Sequence, residues 1–200
     1  PDGKWKVPPT MTASPSAVIK TKSATITWST NRTSNSFVKF GKSSGDYGEE
    51  VGSSDQVSLH EIALTGLDPG TTYYYITQWT DEDGNTGTSS ELSLTTNAAP
   101  FVSAVKVVDV GLYSAYVEFN LSNATTATVQ YGKTISYGGV QTVTTSRAAS
   151  SYTVKIEGLE EGTEYHLRIA AEDEEANTFA SDDYTFETLP VPKITGVKIQ

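Results

Sequence analysis

The sequence predicts an all-β chain of two tandem seven-stranded β-sandwiches, and three observations carry that prediction. Blocks of residues recur at a nearly constant offset along the 200 positions. Short runs alternate apolar and polar residues, the period of a half-buried strand. Gly, Pro, Asn and Asp gather between the runs, where turns need them.

The recurrence is ordered. Ser23-Ala24-Thr25-Ile26-Thr27-Trp28 is answered by Ser114-Ala115-Tyr116-Val117-Glu118-Phe119, and Val38-Lys39-Phe40-Gly41-Lys42 by Val129-Gln130-Tyr131-Gly132-Lys133, both at an offset of 91. Leu64-Thr65-Gly66-Leu67-Asp68-Pro69-Gly70-Thr71-Thr72-Tyr73 is answered by Ile156-Glu157-Gly158-Leu159-Glu160-Glu161-Gly162-Thr163-Glu164-Tyr165 at 92. Self-similarity at a fixed period marks a duplicated folding unit. The divisions that follow are a tail over 1–7, one unit over 8–97, a second over 98–190, and residues 191–200 as the first strand of a further repeat. That last strand is predicted because Pro192-Lys193-Ile194-Thr195-Gly196-Val197 parallels Pro100-Phe101-Val102-Ser103-Ala104-Val105. The connections Asn97-Ala98-Ala99-Pro100 and Leu189-Pro190-Val191-Pro192 are short and contain proline, which predicts a semi-rigid join.

Within the first unit, alternation turns Ala24, Ile26 and Trp28 inward, then Val38 and Phe40, then Ile62 and Leu64. Asp68-Pro69-Gly70 makes a turn, because Pro fixes φ and Gly permits a positive one. Tyr73, Tyr75, Thr77 and Trp79 share the next inner face, and Leu92 and Leu94 close the sandwich. The second unit repeats the pattern with Ala115, Val117, Phe119, Val129, Tyr131, Val154, Ile156, Tyr165, Leu167, Ile169, Tyr184 and Phe186. One buried and one wet face is what an antiparallel sandwich requires.

Composition removes several function classes. The net charge is −10, with 7 basic and 11 acidic side chains over 1–97 and 7 and 13 over 98–200. Neither half has a basic stripe, so phosphate-mediated nucleic-acid binding is not expected. Cys is absent, which removes disulfides, thiol chemistry and Cys-ligated zinc. No apolar run reaches the length that spans a bilayer. A secreted or cell-surface protein is expected, and with no signal peptide opening the sequence it reads as a mature form or an excised piece of one.

The Trp of the second strand, the Tyr of the third and Gly-Leu-x-x-Gly-Thr-x-Tyr before the sixth resemble the fibronectin type III family. Tyr73 and Tyr165 occupy the place of that family's tyrosine corner. The loop Asp81-Glu82-Asp83-Gly84-Asn85 resembles bacterial members and the N-terminal domains of purple acid phosphatases. Phe119 in place of Trp and Ala176 in place of the loop Gly are the departures. The resemblance implies a spacer, scaffold or binding module, with Trp28, Tyr73, Phe119 and Tyr165 as structural core.

No catalytic, cofactor-binding or metal-ligating set is expected. The two histidines, His60 and His166, lie at unequal places in the repeat and are read as structural. Asp81, Glu82, Asp83, Asn85 and Glu91 offer hard oxygens, but Gly84 falls too early for a helix–loop–helix calcium site; a solvated acidic hairpin loop is expected instead. An interaction face is read at Phe37, Tyr74 and Ile76, apolar at outward positions where the second unit has Thr128, His166 and Arg168. The partners expected are neighbouring domains of the same protein, further copies of the chain, and surface glycans or proteins. Three sequons begin at Asn31, Asn120 and Asn123, and Trp5 is expected to pack on an adjacent domain.

Overall fold

A computed structural model describes residues 4–145 and 150–193. It contains strands and no helix among these residues, and the chain divides into one compact unit over 1–98 and another over 99–200. The expected strand over 191–200 lies largely outside the described residues, and positions 191–193 are not strand.

In the first unit, strand β1 (Met11–Ile19) pairs with the start of β2 (Ser23–Gly41), which also pairs with β3 (Glu49–Thr65). The second half of β2 pairs with β4 (Thr72–Thr80), and β4 pairs in turn with β5 (Thr86–Thr88) and β6 (Leu92–Thr95). Two strands predicted as separate elements are therefore continuous here. The pairing of β2 with β3 shifts register between Ser29 and Ser36, where both chains pass from one layer to the other. Even-numbered residues stay inward on both sides of that corner, from Ala24 to Thr30 and from Ser34 to Phe40.

The second unit keeps its layers separate. One sheet has the order β11 (Ser151–Glu157), β8 (Ser114–Ser122), β7 (Phe101–Val108). The other has β10 (Gly139–Val143), β9 (Thr126–Gly132), β12 (Glu164–Glu172) and β13 (Thr178–Ala180), with β14 (Tyr184–Glu187) also on β12. All these pairs are antiparallel. The last sandwich strand is broken in two in both units, because Ser89 and Ser181 each interrupt it. Each donates its N–H to a carbonyl of the facing strand and accepts an N–H from the same residue, Thr77 or Ile169.

Each unit has its own core. In the first it is built around Trp28, Ile26, Phe40, Leu64 and Tyr73. In the second it is built around Phe119, Val117, Ile156, Leu167 and Ile169. The residues that differ keep the volumes matched across strands. Trp79 faces Gly87 in the first unit, where a Cβ would sit 2.6 Å from the indole. At the equivalent pair of the second unit, Ala171 faces Phe179. The repeated Gly41 and Gly132 have a shared cause: the chain turning back after the strand crosses where a Cβ would be. Asp46 O is the obstacle at Gly41, and Gly138 N, at 2.8 Å, the obstacle at Gly132.

Candidate functional site

The face read as an interaction surface is assembled as the alternation requires. Phe37 lies opposite Gln78, Lys39 opposite Ile76, and Gly41 opposite Tyr74 on β2 and β4. Phe37, Tyr74 and Ile76 are each half-buried rather than open. The Phe37 ring folds over the main chain of Gly52, which has no side chain to hold it off, and Lys39 pairs with Glu50 at 3.4 Å.

The corresponding face of the second unit is a polar network. His166 Nδ1 lies 2.7 Å from Asp183 Oδ2, and the Tyr137 hydroxyl donates to Asp183 Oδ1 at 2.9 Å. Arg168 stacks on the Tyr137 ring at 4.8 Å and donates to Gln130 at 2.8 Å. The hydrogen bond from His166 holds the Asp183 carboxyl below its ordinary range. The first unit carries a matching anchor: Glu91 accepts from Ser44 Oγ, Gly45 N and Tyr47 Oη at 2.5–2.7 Å. Glu91 thus belongs to a turn and not to the acidic loop with which it was grouped.

The acidic loops are open to solvent except at their leading aspartates. Asp81 and Asp173 are buried, and each organises its own loop. Asp81 Oδ1 accepts from Asp83 N, Asn85 N and Asn85 Nδ2, while Asp173 Oδ1 accepts from Glu175 N, Asn177 N and Asn177 Nδ2. A short side chain folding back on its own backbone makes such a turn. Gly84 has φ 85° and Ala176 φ 60°, so the departure at Ala176 is accommodated in the left-handed region. No group of three or more His, Asp or Glu placed to hold a metal ion occurs among the described residues.

Asp81 has a second role, with no local signature in the sequence. Arg32 reaches across 49 positions to pair with its Oδ2 at 2.7 Å. Burial works against the charge, but the Arg32 and Asn85 hydrogen bonds outweigh it and hold the carboxyl down at about 2. The same guanidinium donates to Val7 O and lies 4.4 Å from the Trp5 ring. Trp5 N donates to Asp83 at 2.8 Å, and Trp79 Nε1 to Pro9 O at 2.8 Å. Trp5 is therefore fastened to its own unit.

The residues assigned to structure sit in the cores: Trp28 and Phe119 are 1 % exposed, Tyr73 3 % and Tyr165 6 %. The Tyr73 hydroxyl accepts from Asp68 N at 3.0 Å, and that of Tyr165 from Glu160 N at 3.0 Å, five residues upstream in both units. Thr96 and Thr188 repeat a second lock that was not foreseen. Each hydroxyl accepts an N–H, from Thr71 or Thr163, and donates to the carbonyl of Asp68 or Glu160. The signal was present in the sequence, since these threonines are also 92 residues apart. Tyr165→Phe is expected to cost about 1 kcal/mol, the net value of one neutral hydrogen bond. A denaturant midpoint shift confined to the second unit's transition is the measurement.

Residues 8–96 match the family model described as the purple acid phosphatase N-terminal domain. The crystal structure of the chicken CNTN1 FN1–FN3 domains aligns over 92 % of this chain and 68 % of that one, at 16 % identity and a TM-score of 0.44. No curated protein matches the chain. Sheets joining the first, second and fifth sandwich strands against the rest, with a tyrosine corner before the sixth, define the architecture. The chain is a tandem of two fibronectin type III-like β-sandwiches, the first of which matches the purple acid phosphatase N-terminal family.

Proposed function

We propose that the chain is a non-catalytic module that spaces and supports other parts of a larger secreted or cell-surface protein. The observation that carries this reading is the match of residues 8–96 to a family described as the N-terminal domain of an enzyme. It favours an accessory role beside a catalytic domain encoded elsewhere in the same polypeptide. The internal chemistry supports it: the conspicuous polar side chains are spent within their own unit, Asp81 and Asp173 on their own loops and Glu91 on the turn between β2 and β3. The partners are then the adjoining domains, and the half-buried Phe37, Tyr74 and Ile76 face is the surface offered to them, to another copy, or to surface glycans.

The purified chain is expected to show no hydrolysis of p-nitrophenyl phosphate between pH 5 and 8, with or without added iron, zinc or manganese. Turnover that co-elutes with the chain on size exclusion would refute the reading.

A further inference from the structure

The duplication provides an internal control. Where the second unit fills one end of its sandwich with Leu121, Ala127, Tyr152 and Ile169, the first unit has Thr30, Ser36, His60 and Thr77. The pairings show that the positions correspond: Trp28 lies opposite His60 as Phe119 lies opposite Tyr152, and Val38 opposite Thr77 as Val129 opposite Ile169. Even the ring stacking is retained, at 4.7 Å for Trp28 on His60 and 5.7 Å for Phe119 on Tyr152. His60 has no exposed surface.

The hydrogen bonds fix its tautomer. The Thr30 hydroxyl donates to Arg32 O at 2.8 Å, so its proton is committed there. Toward His60 Nε2, 2.8 Å away, Thr30 Oγ1 is therefore the acceptor, and Nε2 carries the ring proton. Nδ1 is left as an unprotonated nitrogen that accepts from Ser36 Oγ at 2.7 Å. A single directed chain runs from Ser36 through the ring and Thr30 to the Arg32 carbonyl. A second proton on Nδ1 reverses its first link and places a full charge between the sheets.

Nothing on the packed strands neutralises that charge. The titratable groups with inward parity are the phenols Tyr73 and Tyr75 of β4 and the guanidinium of Arg32 on β2, none of them a carboxylate; β1, β5 and β6 carry no titratable side chain. On β3 the neighbouring Glu61 has outward parity. The Arg32 and Asp81 charges at this end are already paired with each other.

We infer that the first unit contains an acid sensor: His60, sealed in as a neutral imidazole among hydroxyls, makes this unit alone lose stability as the pH falls below the ordinary histidine range. Burial pushes the ring's pKa below 6.5 in the folded state, so the unfolded chain takes up the proton first. The stability is fully present above about 6.5 and erodes as the pH drops toward the folded value. His166, in contrast, lies beside the Asp183 carboxylate, a ready countercharge.

Trp5, Trp28 and Trp79 are the chain's three tryptophans, and all lie in the first unit. Tryptophan emission of the intact chain therefore reads that unit alone. Denaturant unfolding at constant ionic strength is expected to give a larger unfolding constant at pH 5.5 than at pH 7.5, by up to about tenfold, the limit for one differential proton. The second unit, which buries no neutral imidazole, shows no such loss when followed by its amide resonances over that interval. The His60 ring resonances of the folded chain should still be mainly those of the neutral form at pH 6.5, where a free imidazole is about half protonated. His60→Tyr, which installs the second unit's residue, abolishes the pH dependence. Should that variant not fold, the ring titration in the unaltered chain decides. A His60 ring that protonates near 6.5 within an intact fold overturns the inference, as does a pH dependence that survives in His60→Tyr.

Discussion

Trp28→Ala is expected to cost the first unit about 3–5 kcal/mol and to leave the second unit folded. The indole is 1 % exposed, stacks on His60 and belongs to a core shared with Ile26, Phe40 and Leu64. Removing it takes away the transfer energy of the largest side chain present and leaves a cavity that strands cannot collapse to fill. Against a total stability of about 5–15 kcal/mol, such a loss brings a small domain close to its unfolding midpoint at room temperature. Phe119→Ala is the mirror experiment: it should unfold the second unit while tryptophan emission remains native. Each core is assembled from residues of its own unit, so calorimetry should resolve one displaced and one unmoved transition in each variant. Loss of both transitions together in either variant would show that the cores are not independent.

Gly41→Ala is the second substitution with a large expected effect, roughly 1–3 kcal/mol in the first unit. The added methyl has nowhere to go, because the obstacle is the Asp46 main-chain carbonyl rather than a side chain that can rotate away. Relief requires the turn between β2 and β3 to open, which also disturbs Ser44, Gly45 and Tyr47 on Glu91. Gly132→Ala meets Gly138 N at 2.8 Å in the second unit and is expected to act in the same direction with a smaller cost. Thermal midpoints of the two variants give the comparison. An unchanged midpoint for Gly41→Ala would mean that the close approach at Asp46 does not constrain the turn.

The repeat and its strand parity were legible in the sequence because period-two alternation is a local property. Tyr73, Tyr75, Thr77 and Trp79 read as one inner face without knowledge of anything they touch, and all four are buried. The buried polar end of the first sandwich was harder to read. Thr30, Ser34 and Ser36 look like surface positions of a Thr- and Ser-rich strand, and what places them inside is the corner by which β2 changes layer. The Arg32–Asp81 pair was invisible for a different reason: it spans 49 residues, and either partner alone reads as solvated charge. The acidic loop reads as solvated in the sequence because nothing local shows that its leading aspartate spends its oxygens on backbone N–H groups.

The exchange of Trp79–Gly87 for Ala171–Phe179 bears on how two such similar sequences avoid tangling as they fold side by side. Homologous neighbours in one polypeptide are prone to trading equivalent segments. Here a borrowed segment carries the wrong bulk: β13 laid on β4 sets Phe179 against Trp79, two rings in room for one, while β5 laid on β12 leaves Ala171 over Gly87 and a void between them. Both mismatches penalise the hybrid and leave each authentic pairing untouched.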